Sequence, residues 1–207
     1  MKRFRSPAAA VRLAACVLAV LALAAFFAPF VTLSPNTDDT AVLFVQALKA
    51  MFGQDPTGPR NLSGVELIFA FTADSTIHPQ LDIGPLPANA AVLAAAVLTL
   101  ASLVFLFLPV RGRDLWSACL AGGSAVCVFV SCMKKLYFIP YYARFTKNGG
   151  EQLRRLLEEE KLLVRPNWGA VAVIVLCLFV FMIEMNLWSQ LRYDPLFVKA
   201  RGIGSDE

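Results

Sequence analysis

Charge is scarce in this chain. Only 16% of its 207 residues are Asp, Glu, Lys or Arg, against about a quarter in an ordinary soluble domain. With 57% hydrophobic residues, that deficit points to a membrane class. Histidine is nearly missing too, with His78 alone. The net charge of +4 is too small to argue for a nucleic-acid partner. No Cys-x-x-Cys occurs, which disfavours a thiol oxidoreductase. All five cysteines (Cys16, Cys119, Cys127, Cys132 and Cys177) fall in or at the ends of apolar runs. An oxidising compartment would instead place disulfides in the hydrophilic loops. No convergent nucleophile, base or metal-ligand set is present, so neither an enzyme nor a cofactor is expected.

What is present is length in the apolar runs. A helix needs about 20 apolar residues to cross the hydrocarbon core. Leu13 to Leu33 and Ala88 to Val110 qualify, Leu115 to Met133 is shorter, and Gly169 to Leu191 is the fourth. The predicted fold is an all-α, four-transmembrane-helix bundle. Its outer loops are 34–87 and 134–168, and its tail is 192–207. The basic start, with Lys2, Arg3 and Arg5, resembles a secretory signal, and Leu13-Ala14-Ala15-Cys16 a lipoprotein cleavage box. The long apolar run and its bulky Phe26, Phe27 and Phe30 favour an uncleaved anchor.

Lys and Arg divide nine against ten between the two sides. The first helix usually dominates orientation, and its basic start favours the inside. The loop 34–87 has only Lys49 and Arg60, which suits the outside. Both termini are therefore expected in the cytoplasm and the protein in the plasma membrane.

The outer loops are expected to fold into a small extracytoplasmic cap. Thr37-Asp38-Asp39-Thr40 is a good helix start. It leads into a short apolar helix over Ala41 to Phe52, too short to span. Val65, Leu67, Phe69 and Phe71 alternate with other residues, a period of two that predicts a strand. Glu151 to Val164 has one leucine-rich face and favourable charge spacing, which predicts an amphipathic helix.

Several residues stand out within this layout. Glu184 lies inside the fourth run, and intramembrane charges tend to pair. Arg12, at a similar depth in the first run, is the expected partner; a proton or ion pathway is the sharper alternative. Ala118, Cys119, Gly122, Gly123 and Cys127 are small residues suited to close helix packing. Tyr137, Tyr141, Tyr142 and Trp168 suit the lipid–water boundary as interfacial anchors. His78, flanked by Asp74 and Asp82, has too few partners for a metal site and reads as a loop histidine.

Ser63-Gly64-Val65-Glu66-Leu67-Ile68-Phe69 and the Trp168-Gly169 pair carry a resemblance. The chain resembles small bacterial four-helix membrane proteins with a Ser-Gly-x-x-Leu-x-Phe stretch in the first outer loop and an aromatic-Gly opening to the last helix. Its layout is also similar to that of claudins, though the paired loop cysteines and the Trp…Gly-Leu-Trp signature of claudins are missing. The resemblance implies an architecture and no activity. Beyond the lipid bilayer, the expected partner is another membrane protein or a second copy of the chain. The expected role is a non-enzymatic accessory or interaction subunit. The alternative is a subunit of an oligomeric channel or transporter with Glu184 in the pathway.

Overall fold

The computed structural model describes residues 7–35, 42, 45, 60–68, 89–110, 112–133 and 162–193. The elements run α1 (Pro7–Ala25), β1 (Pro29–Pro35), β2 (Arg60–Ser63), α2 (Gly64–Ile68), α3 (Ala90–Phe107), α4 (Arg113–Ser131), β3 (Leu162–Pro166) and α5 (Trp168–Tyr193). Three helical stretches are long and apolar enough to cross a membrane: Ala90–Phe107, Arg113–Ser131 and Trp168–Gln190. A shorter apolar stretch covers Ala9–Ala25.

Four long helices build the bundle, and their buried positions share one spacing. Ala15, Ala19, Ala22 and Phe26 face inward from α1 and its end. Val92, Ala95, Thr99, Ser102 and Leu106 do so from α3. Asp114, Ser117, Ala121, Ser124, Val128 and Ser131 do so from α4, with Ala118 and Ala125 buried beside them. Ala170, Val173, Cys177, Val180, Glu184 and Leu187 complete the set from α5. Steps of three and four alternate in every list, which is the seam of helices packed with a slight left-handed supercoil. Most seam residues are small, so the backbones approach closely. The opposite faces carry exposed Val20, Val97, Phe129 and Phe179. Small and hydroxylated residues inside, with large apolar ones outside, mark a membrane-embedded protein.

The first helix is shorter than its apolar run. After Ala25 the chain tightens through three successive i→i+3 hydrogen bonds, from Phe26, Phe27 and Ala28 to Leu23, Ala24 and Ala25. Pro29 then has no N–H to continue the helix. Residues 29–33, expected as the end of the first span, instead begin the central strand of a three-stranded antiparallel sheet of order β2-β1-β3. Thr32 pairs with Asn61 on one side and with Arg165 on the other. A register irregularity between Pro29 and Val31 lets the adjacent Phe30 and Val31 both bury. The expected helical class is therefore present as a mostly helical fold with a small sheet added to it.

The strand predicted at 65–71 is corrected over 65–68, and 69–71 lie outside the described residues. Residues 60–63 form the strand and 64–68 a short helix. The cause is a reciprocal cap. Glu66 N–H donates to Ser63 Oγ at 3.2 Å, while Ser63 N–H and Oγ donate to Glu66 Oε2 at 2.6 and 3.0 Å. Ser63→Ala is expected to cost about 1 kcal/mol. Amide exchange at Glu66 should rise, and an unchanged rate would show that the cap does not hold α2.

Of the helix predicted at 41–52, only Val42 and Val45 are described; both are helical, and Val45 is buried. Of the helix predicted at 151–164, residues 162–164 belong to β3, and the rest lies outside the described residues. At the sheet end of the bundle, Phe26, Phe30, Leu33, Val45, Leu62, Leu67, Val164 and Ala170 form one core. Asn89 joins that end to α3. Its N–H donates to Leu67 O at 2.8 Å, and its Oδ1 caps Ala91 and Val92.

Candidate functional site

The end of the bundle away from the sheet carries its charge. Arg12 stands three residues before Ala15, one step along the α1 seam. Asp114 lies in the first turn of α4, where the helix dipole favours a negative charge. Gly112, with φ of 75°, makes the left-handed step into that helix. Arg12 Nε and Nη2 donate to Asp114 Oδ1 and Oδ2, both at 3.0 Å. This fork-to-fork geometry is the strong form of the Arg–carboxylate pair. Arg113 adds a looser contact, Nε to Asp114 Oδ1 at 3.6 Å.

Arg12 was expected to pair with Glu184, and the structure gives its hydrogen bonds to Asp114 instead. Two parallel bonds occupy one face of the guanidinium, and α4 presents its carboxylate there. Glu184 is nonetheless close. It feels the charges of Asp114, Arg12 and Arg113, and Cys16 on α1 feels Glu184 in turn. Its side chain is wholly buried, and neither carboxyl oxygen has a hydrogen-bond partner.

Above this layer the seam is polar but satisfied. Ser102 and Ser117 donate to each other's backbone carbonyls at 2.9 and 3.2 Å. Thr99 and Ser124 both donate to Ala95 O, at 2.8 and 2.9 Å, and Cys177 Sγ approaches both hydroxyls at 3.8 Å. Hydroxyls that bond neighbouring backbones in this way hold helices together. They leave Glu184 as the carboxyl without a partner among the described residues.

The small residues of the stripe differ in burial. Ala118 is buried, whereas Cys119 is exposed and Gly122, Gly123 and Cys127 are intermediate. The packed face is broad, with Ser117, Ala121 and Ser124 buried together with Ala118 and Ala125. Gly122 still matters at its edge, since a Cβ there would lie 3.2 Å from the Phe181 ring. Trp168 is exposed at the first position of α5. Tyr137, Tyr141, Tyr142 and His78 lie outside the described residues.

The two glycine motifs meet at the sheet end. A Cβ on Gly64 would stand 2.9 Å from Phe26 O and from the Phe30 ring. A Cβ on Gly169 would stand 2.6 Å from Pro29 O. Both glycines therefore press on the turn between α1 and β1. Beside them Asn167 ties the pieces together: its N–H donates to Phe30 O at 2.7 Å and its Nδ2 to Thr32 Oγ1 at 2.8 Å. Thr32 Oγ1 bonds Asn61 Oδ1 at 2.8 Å.

Sequence reasoning missed Asp114, because the third apolar run was started at Leu115. It also missed the Asn167–Thr32–Asn61 chain. The available signal for the first was an acid next to an Arg at a helix start. The fold and this charge layer define a membrane-embedded helical protein with a sheet at one end. No protein-family model, curated protein or solved structure matches the chain.

Proposed function

We propose that this protein is a non-enzymatic accessory or interaction subunit of the plasma membrane that holds a membrane-protein partner through its extracytoplasmic sheet. The observation that carries this reading is the sheet itself. Its strands come from both loops between helices and are clamped on the helix ends through Gly64 and Gly169. A clamped sheet is a firm platform for a partner, and its position on the bundle stays fixed when the partner binds.

In this reading the chain crosses the membrane four times, with α1 as the first span. Its 19 residues reach about 28 Å, close to the hydrocarbon thickness. Four crossings put both termini on the side of the basic start, in the cytoplasm, and the sheet outside. The claudin-like layout belongs to the same proposal.

A second reading is a channel or transporter subunit that oligomerises, favoured by the buried, unpartnered carboxyl of Glu184. One experiment separates the two. A photo-crosslinking side chain is placed at Arg165, exposed on β3, and the full chain is purified from its own host in mild detergent. A different membrane protein crosslinked in stoichiometric yield is the expected result. A ladder containing only this chain would overturn the accessory reading in favour of the oligomer.

A further inference from the structure

We propose that Glu184 and Asp114 together form a proton-binding site at the end of the bundle away from the sheet, with Arg12 as its fixed counter-charge. This goes beyond the partner-holding reading and stands independently of it.

The geometry carries the argument. Glu184 is 0% exposed and both its oxygens lack a hydrogen-bond partner. A bare carboxylate in that position would have surrendered its hydration and received no donor in exchange, which is prohibitive in a low-dielectric interior. Among the described residues Arg12 directs two of its donors to Asp114, and none reaches Glu184. Asp114 is the other carboxyl of this layer and its charge reaches Glu184, so a hydrogen bond between the two would need a hydrogen to share. Two carboxylates cannot form that bond, since neither has a hydrogen to give. One proton on Glu184 makes it possible, and Glu184 then donates to Asp114. Neutral Glu184 and the Arg12–Asp114 pair then sum to zero, and Arg113 is left as the one further charge, on a part-exposed side chain.

Among the described residues, the charged and titratable groups acting on Glu184 come from two of the packed helices. Arg12 and Cys16 come from α1, and Arg113 and Asp114 from α4. Helix α3 has no titratable side chain. When the proton leaves, the Glu184 O–H bond breaks, its electron pair stays on the carboxylate, and the proton passes to water by way of Asp114. The layer then holds two carboxylates around Arg12. Arg12 must divide its donors between α4 and α5, or Arg113 must turn inward. Proton exchange therefore changes which helices the guanidinium ties together.

The test is infrared spectroscopy of the full chain in liposomes at neutral pH, where ordinary exposed carboxyls are ionised. The wild type is expected to show the C=O stretch of a protonated carboxylic acid, shifted by transfer to heavy water. Glu184→Gln should remove it. If that variant does not fold, wild-type protein with 13C-carboxyl glutamate should show the same band at the isotope-shifted frequency. Alkaline titration should convert the band to carboxylate absorption. A wild-type spectrum with no such band overturns the proposal. So does a band that survives Glu184→Gln or ignores the glutamate label. A Glu184 carboxylate signal that responds to sodium or potassium ions instead of pH would assign the site to a metal cation and also overturn it.

Discussion

Gly169→Ala is expected to be among the most damaging single substitutions in this protein, lowering stability by about 3 kcal/mol, the upper end for forcing atoms into a packed site. The added Cβ would stand 2.6 Å from Pro29 O and 3.0 Å from Ala28 Cβ. The first of these is backbone, and it lies in the turn that ends α1 and starts β1. It cannot rotate away as a side-chain tip would. Relief requires α5 to move off the turn, and α5 takes Asn167 with it. Asn167 N–H would then lose Phe30 O, and Nδ2 would lose Thr32. Gly123→Ala is the control, because its Cβ would meet only Leu98 Cδ1 at an ordinary 3.5 Å. Alanine is also the better helix former. Thermal unfolding in mild detergent should show a large loss for Gly169→Ala and little or none for Gly123→Ala. Equal melting of the two variants would refute the clamp.

The second large effect is expected at the opposite end. Arg12→Ala should cost about 3 kcal/mol, the lower end for removing one partner of a buried pair. It strips the hydrogen-bonded counter-charge from Asp114, whose side chain is 8% exposed, and leaves it only the looser Arg113 contact. Asp114→Ala should cost less. Arg12 would then be free to turn its donors toward Glu184, the carboxyl already within its field. The order of the two losses is the informative part. Had Arg12 been committed to Glu184 alone, Asp114→Ala would be nearly silent and Glu184→Ala would match Arg12→Ala. Unfolding of the single variants and of the Arg12→Ala/Asp114→Ala double variant closes the cycle. Additive losses would show that the two side chains do not interact.

The long helices were legible because hydropathy over some twenty residues suffices to locate them. The predicted 88–110, 115–133 and 169–191 stand against Ala90–Phe107, Arg113–Ser131 and Trp168–Tyr193. The first run was misjudged at its end for a physical reason. Phe30, Val31 and Leu33 are equally apolar in a spanning helix and in a buried strand, so hydropathy does not separate the two. Pro29 was the local sign that the helix had stopped. At residues 63–69 two local signals competed, alternation and the Ser63-x-x-Glu66 cap. Tertiary contact decided for the cap, because Gly64 lies against Phe26 and Phe30 and Leu67 enters the core.

The charged layer was half legible. Arg12 and Glu184 could be singled out as charges within apolar runs, but their geometry depends on how four helices are rotated, which no single run reveals. Asp114 had been assigned to a loop and so was never weighed as a partner. The face of α4 was readable in hindsight from Ser117, Ser124 and Ser131, spaced by sevens. Gly122, Gly123 and Cys127 drew attention because they are small, but small residues on this helix occur on both sides of the seam.

The strand order also dictates a timetable for biosynthesis. Strand β1 emerges early, and β2 soon follows; Thr32 and Asn61 are 29 residues apart. Its other edge waits for β3 and Asn167, which lies 135 residues beyond Thr32. Throughout the translation of α3 and α4, that edge of β1 has its backbone N–H and C=O groups unpaired. It closes only when the last helix is delivered, since β3 and α5 are adjoining segments. A chain cut before β3 therefore leaves that edge of β1 without its partner strand.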